Sequence, residues 1–345
     1  MSPDVLEAPD PSDPPANGGW WRIVGSLVSL GVSAALLIAL YRSLDIRLVG
    51  QTLLGADPVW LVFSVGLILP ITVLRAVRFF WVAPPGALPG VGEALRLTLA
   101  AAALNVFLPA KSGDLIKSYF VAKRSETSAG VSIAIIVYER LCDLFALVSW
   151  CLVGWLVGRP RVPGLPGFFW VLLTALGAVC AVLISSARVA LYGRALMARA
   201  FPHRRLKRLR KIAQGWPDLL LMLRGRRRWI VAYSLFLWLT HLVQIWLFTV
   251  TLAVDVPFTV CASLAAVALM AGQLPLTVAG LGTRDVALVL LLAQYVAPEP
   301  AAAMGVLIST RNFLPPLLGL PVMWRYLSSA VDDARRWRRA MEQEG

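Results

Sequence analysis

Apolar runs separated by short polar or Pro/Gly-rich breaks fill almost the whole chain. Trp20 and Trp21 open a run from Ile23 to Tyr41. At a helical rise of about 1.5 Å per residue, this run is long enough to cross a hydrocarbon core of about 30 Å. A second run, Val59 to Val73, is followed by Arg75, Arg78 and Trp81, the pattern of an interfacial anchor. After a Pro/Gly-rich turn from Pro84 to Gly92, the stretch Ala94 to Leu108 is short for a span and stops at Pro109. Further runs occupy Ser128 to Leu156, Phe168 to Ser185, and Trp229 to Leu252. A second interrupted stretch begins near Val260, breaks at Pro275 and Gly280-Leu281-Gly282, and resumes from Asp285 to Val296; a last run covers Ala301 to Tyr326. This pattern predicts an all-α polytopic membrane fold of about six to nine membrane segments. The two interrupted stretches occupy corresponding places in two halves, so they read as broken or re-entrant helices of inverted repeats. The predicted organisation is a Pro-rich tail over 1–19, a first membrane half over 20–187, a linker over 188–228, a second membrane half over 229–327 and a tail over 328–345.

Composition agrees with that pattern. The chain is 58% hydrophobic and 15% charged, with mean hydropathy +0.72, which excludes a soluble domain. Its net charge of +14 does not indicate nucleic acid, because Lys and Arg cluster between the apolar runs and after the last one. Residues 188 to 228 hold thirteen Lys or Arg and one acid, Asp218, while the C-terminal tail adds Arg335, Arg336, Arg338 and Arg339. Both segments are therefore expected to face the cytoplasm. Within the linker, Leu206, Leu209, Ile212, Trp216, Leu219 and Leu223 recur at helical spacing. Two readings stand: an interfacial helix lying on anionic lipid, kinked or divided at Pro217, or a solvated loop that only sets orientation. Asp332-Asp333, in the basic tail, reads as a solvated helix face. The N-terminal tail carries Asp4, Glu7, Asp10 and Asp13 among five prolines, unlike the basic start of a signal peptide, and reads as disordered. Cys142, Cys151, Cys180 and Cys261 all fall in apolar runs, where a cysteine acts as a small hydrophobe. With His203 and His241 the only histidines, no metal is expected. No Walker loop or Gly-x-Ser-x-Gly elbow occurs, and no cofactor is expected.

Four groups of residues carry the chemistry. The first runs from Asn105 through Pro109, Lys111, Gly113 and Asp114 to Lys117. Proline ends one helix, glycine permits a turn, and Asp114 is placed to cap a new helix whose free N–H groups attract anions. The second, from Gln273 through Pro275, Gly280 and Gly282 to Arg284 and Asp285, repeats the same order of parts. The third is Glu139-Arg140-Leu141-Cys142-Asp143, whose three charges share one helical side and can pair. Arg or Asp at mid-membrane costs about 2.5 to 3.5 kcal/mol against lipid, so these groups face protein or a wet cavity. The fourth is Arg311 with Asn312, deep in the last run and before Pro315 and Pro316. A deep arginine wants a counter-ion, and lipid phosphate is an available one. His241 and Gln244 read as interhelical hydrogen-bonding residues rather than ligands.

The ordered motifs Asn105 to Lys117, Glu139 to Asp143, and Leu274 to Asp285 resemble the flippase-like membrane domain of lysylphosphatidylglycerol synthases over about Ile23 to Tyr326. The resemblance implies broken, re-entrant helices, both termini inside, and movement of a phospholipid between leaflets. Lys111 and Lys117 stand where the family commonly has arginine, and Asp114 and Asp285 where glutamate is common. The resemblance covers only the membrane part, so aminoacyl transfer is not expected to carry over. The expected activity is translocation of an anionic phospholipid or polyprenyl-phosphate-linked lipid, without catalysis. Asn105, Lys111, Asp114, Lys117, Glu139, Arg140, Asp143, Arg284, Asp285 and Arg311 are the expected headgroup-binding residues. Expected partners are membrane lipids and a separate lipid-modifying enzyme. The rival readings are an enzyme of lipid-linked glycan or isoprenoid assembly, with Glu139 and Asp143 as acid and base, and a non-transporting scaffold for a separate synthase.

Overall fold

The computed structural model describes residues 18–107, 113–125, 127–160, 162, 166–189, 191–192, 195, 207–273, 277 and 280–344. Residues 1–17 of the expected tail over 1–19, together with Pro109, Lys111 and Pro275, lie outside the described residues, whereas Gly18 and Gly19 already belong to the first helix. Among those described, the regular structure is entirely helical. The helices are α1 (Gly18–Arg42), α2 (Ile46–Leu54), α3 (Pro58–Gly66), α4 (Ile68–Val82), α5 (Val91–Phe107), α6 (Leu115–Arg124), α7 (Ala129–Gly158), α8 (Phe168–Ser185), α9 (Lys207–Met222), α10 (Arg227–Thr251), α11 (Phe258–Ala271), α12 (Thr283–Leu292) and α13 (Pro298–Glu344). Among the described residues, five stretches are long and apolar enough to cross a membrane: Pro58–Val82, Ala129–Gly158, Phe168–Ser185, Arg227–Thr251 and Pro298–Asp333. The protein is thus an all-α, multi-pass membrane protein.

Local chemistry sets the helix ends. The Asp45 and Asp57 carboxylates accept from the first free N–H groups of α2 and α3, and Pro58 supplies the helical φ at the start of α3. Ser128 caps α7 in the same way. Between α3 and α4 only Leu67 interrupts the helix, and its own N–H still reaches Phe63 O at 3.1 Å. The helical rod therefore runs on past Val73 to Val82, which corrects the anchor reading of Arg75 and Arg78. Both lie within the span, one turn or more before its end.

The basic linker also departs from expectation. The α9 helix continues through Pro217, and Leu219 and Leu223 are fully buried. Trp216 sits 6.0 Å from the Tyr138 ring of α7, while an added Cβ at Gly215 would meet the Gly130 carbonyl carbon at 2.2 Å. This part of the stripe faces α7 instead of lipid. Asp333 is likewise engaged, accepting from Tyr119 Oη at 2.7 Å and from Lys123 Nζ.

Two short helical hairpins position the site. In the first, α5 leads to the break before Asp114 and α6 returns. Glu93 at the start of α5 pairs with Arg124 at the end of α6 at 2.7 Å, and Tyr326 Oη of α13 donates to the same carboxylate at 2.6 Å. An added Cβ at Gly113 would lie 2.7 Å from Ala101 O and Asn105 N, so the returning chain touches the helix it left. In the second, α11 leads to the break and α12 returns. Here a Cβ at Gly280 would meet Gly272 O at 2.5 Å, and Gly280 holds φ +78°, a conformation that glycine adopts without strain.

The hairpins open toward opposite ends of the molecule. The first opens beside the start of α7 and the basic end of α13, through Arg124, Tyr119 and Asp333. The second opens at the far end of α7, where Gly154 and Gly158 press on Thr259 at the start of α11. Each hairpin leans chiefly on the long helix of the other half, α5 on α13 and α11 on α7. Lipid supplies no hydrophobic drive between helices, so such contacts depend on close approach of small residues. Gly319 shows this most sharply, since an added Cβ would lie 2.1 Å from Leu99 O. Gly319→Ala is expected to cost about 1–3 kcal/mol through overpacking, read as a lower unfolding temperature in detergent. Gly31→Ala, with nothing within 4 Å of the added Cβ, is expected to leave that temperature unchanged.

Candidate functional site

Near the midpoint of α7, three other elements bring charged or polar groups onto it. Arg78 of α4 lies 2.6 Å from Asp143 through Nη1 and 3.6 Å from Glu139 through Nε. Asp143 also accepts from Trp238 Nε1 of α10 at 2.8 Å, and Arg78 Nη1 reaches Ser234 Oγ at 3.3 Å. Glu139 pairs with Lys117 of α6 at 3.4 Å, and Lys117 sits over the Phe79 ring at 4.9 Å. Asp114 receives Arg140 Nη2 and, at 3.3 Å, Asn105 Nδ2; Lys117 is 3.9 Å away. An ion pair this deep must recover a desolvation cost of several kcal/mol per charge. Sharing each carboxylate among two or three donors supplies that return.

These contacts redistribute the predicted roles. The intrahelical pairing of Arg140 with Asp143 survives only at 3.9 Å, while Asp143 and Glu139 turn to Arg78. Asp114 does occupy the N-cap position of α6, but its backbone is helical and its side chain makes no capping bond. That corrects the capping expectation: the carboxylate is spent on Arg140, Lys117 and Asn105.

Arg311, on α13, is 3% exposed. Its Nη1 donates to Gln244 Oε1 at 2.6 Å and lies 3.3 Å from His241 Nδ1. Gln244 in turn donates to Ser64 O at 2.7 Å, so the two α10 residues act as interhelical hydrogen-bonding groups. Among the described residues no carboxylate lies within 4.0 Å of Arg311, and Arg311 Nε and His241 Nε2 are buried with no partner. Arg75, one turn before Arg78, likewise has no ion pair among the described residues. Its side chain is exposed although protein atoms surround it, within electrostatic reach of Asp143, Arg78, Arg140 and Asp114. It also acts on Arg311 and His241. Facing lipid would cost such a guanidinium about 2.5–3.5 kcal/mol or more, a cost that a wet cavity would not impose.

The second break is a closed unit. Arg284 is 3% exposed; its Nη2 reaches Asp285 Oδ1 at 2.6 Å, Ser309 Oγ at 2.7 Å and Gly305 O at 3.3 Å. The other Asp285 oxygen accepts from Gly282 N at 3.0 Å, capping α12. An added Cβ at Gly305 would meet Asp285 Oδ1 at 2.8 Å, so α13 closes over the pair. Arg140 follows Asp114 by 26 residues, and Arg311 follows Asp285 by the same interval. Of the expected residues, the structure thus brings Asn105, Asp114, Lys117, Glu139, Arg140 and Asp143 into one network and Arg284 and Asp285 into another.

Sequence reasoning missed Arg75, Arg78, Ser234, Trp238 and Ser309. A signal for the two arginines was present: Phe79, Phe80 and Trp81 continue the apolar run for another turn beyond Arg78. Among the described residues the groups at depth comprise six cations, Arg75, Arg78, Lys117, Arg140, Arg284 and Arg311, against four carboxylates, Asp114, Glu139, Asp143 and Asp285. The cationic excess is carried by residues on α4 and α13 that lack acidic partners.

No curated protein matches the chain. The family model described as lysylphosphatidylglycerol synthase TM region matches residues 25–319. With the three ordered motifs gathered around two opposed hairpins, and with the match covering most of its length, the chain belongs to the family of the lysylphosphatidylglycerol synthase membrane region.

Proposed function

We propose that the protein translocates an anionic phospholipid, or a polyprenyl-phosphate-linked lipid, across the bacterial cytoplasmic membrane. In this reading the two hairpins are re-entrant arms of an inverted repeat, and their broken tips meet near the membrane midplane. The single observation that carries the proposal is Arg75, an exposed guanidinium without an acidic partner among the described residues, beside Arg311 and the Arg78–Asp143 pair. A phosphate is the complementary group, since guanidinium forks bind its oxygens through charge-assisted hydrogen bonds.

Arg75, Arg140 and Arg311 form the headgroup contacts, with Lys111 added from the first break. Asn105, Asp114, Lys117, Glu139 and Asp143 hold these cations apart and exchange partners as the cavity opens to one side and then the other. Arg284 and Asp285 fix the second break, with Arg284 contributing field from behind its carboxylate. The lipid chains stay in the bilayer throughout. The basic linker and the C-terminal helix lie on the cytoplasmic side, where a separate lipid-modifying enzyme delivers or receives the cargo.

The test is transport of a fluorescent phosphatidylglycerol between leaflets of reconstituted vesicles, followed by dithionite quenching. The wild-type protein is expected to accelerate exchange of the anionic lipid over that of phosphatidylcholine. Arg311→Gln is expected to slow it by about tenfold, corresponding to one lost charge-assisted contact. Equal rates for wild type and Arg311→Gln would count against the cavity as the route.

A further inference from the structure

A second feature lies outside that network, at the basic end of the molecule. Between the last turn of α4 and the first turns of α10 there is a cavity of about 460 Å³, walled by Trp81, Trp229, Tyr233 and Phe236, with Arg226 at its rim. Trp81 and Tyr233 pack at 4.8 Å between ring centroids, and Tyr233 and Phe236 at 6.4 Å. Trp and Tyr are enriched at membrane interfaces, where their rings sit at headgroup level. Here they come from two helices and line a concavity.

Charge surrounds one end of it. Arg224, Arg226 and Arg228 are all exposed, and Arg228 lies over the Trp229 ring at 5.5 Å. Arg227 is directed elsewhere, donating to Ser185 O at the end of α8. Apolar walls capped by cations complement an anionic amphiphile, with a chain segment in the pocket and a phosphate at the rim. The pocket also backs onto the charged interior: Trp81 is one helical turn from Arg78, and Tyr233 adjoins Ser234, which hydrogen-bonds Arg78 at 3.3 Å.

We infer that this pocket binds one anionic lipid from the cytoplasmic leaflet and is the station from which it enters between α4 and α10. The binding stands on the pocket alone; the entry role rests on the proposed translocation.

The experiment uses the full chain in phosphatidylcholine nanodiscs doped with a diazirine-bearing phosphatidylglycerol, irradiated and mapped by peptide mass spectrometry. Adducts are expected to concentrate on the segments carrying Trp81 and residues 226–236, and to be competed by unlabelled phosphatidylglycerol but not by phosphatidylcholine. Arg226→Glu, at an exposed position, is expected to reduce labelling there by about tenfold. Labelling no stronger than on the lipid-facing Phe168–Ser185 helix, or unchanged by Arg226→Glu, would overturn the site. Normal labelling in a protein that moves no lipid would leave the site standing and remove the translocation reading. Normal transport by an Arg226→Glu protein that has lost the labelling would overturn the entry role.

Discussion

Arg78→Ala is expected to unfold the protein or lower its stability by about 3–5 kcal/mol, the usual consequence of removing one partner from a buried ion pair. The guanidinium is 4% exposed and serves two carboxylates on α7, Asp143 at 2.6 Å and Glu139 at 3.6 Å. Without it, Asp143 retains Trp238 and a 3.9 Å approach from Arg140, and Glu139 retains Lys117. Neither set replaces a charge fork at the centre of the bundle. Thermal unfolding in detergent, followed by size-exclusion chromatography, measures the loss. The triple variant Arg78→Met, Glu139→Gln and Asp143→Asn removes the stranded charges as well and is expected to regain most of the stability. If the triple variant were no more stable than Arg78→Ala, stranded charge would not be the source of the loss, since the amides remove the charges and Met refills the space of the Arg78 stem.

Arg75→Ala is expected to do the opposite: little change in unfolding temperature and a large loss of lipid handling. No carboxylate among the described residues depends on Arg75, so its removal strands nothing. A charge-assisted hydrogen bond is worth about 1.5–3 kcal/mol, so loss of one phosphate contact weakens binding by roughly 10- to 100-fold. Native mass spectrometry of lipid retained during purification reads the binding, and leaflet exchange in vesicles reads the transport. Arg75→Lys keeps the charge without the planar fork and is expected to fall between the two. Full lipid retention and transport by Arg75→Ala would remove the residue from the site.

The helices were largely legible in the sequence because apolar length is a direct physical requirement of the bilayer. The runs Phe168 to Ser185 and Ser128 to Leu156 differ little from α8 and α7. The two breaks were legible because Pro109, Gly113, Pro275 and Gly280 punctuate otherwise apolar stretches. Pairing was not legible. The spacing of Glu139, Arg140 and Asp143 points to partners along one helix, whereas the partners come from α4, α6 and α10. Arg78 was read as an anchor because an arginine near the end of an apolar run ordinarily snorkels to the headgroups, and only its contact with α7 distinguishes burial from that. The α9 stripe posed the same difficulty: an apolar face signals burial without saying whether lipid or α7 provides it.

The crosswise arrangement of the hairpins bears on how the protein is made. The α5 face bearing Leu97, Ala100 and Ala103 is fully buried, and its chief partner is α13, near the end of the chain. Synthesis proceeds from the N-terminus at roughly 5–20 residues per second, so α5 and α6 wait roughly ten to forty seconds for that partner to emerge. Until then, a hairpin bearing buried-type charges sits incompletely covered in the bilayer. The packing of α5 is therefore completed only when α13 arrives. The interval before that arrival is when membrane insertases and quality-control proteases have access to the nascent chain.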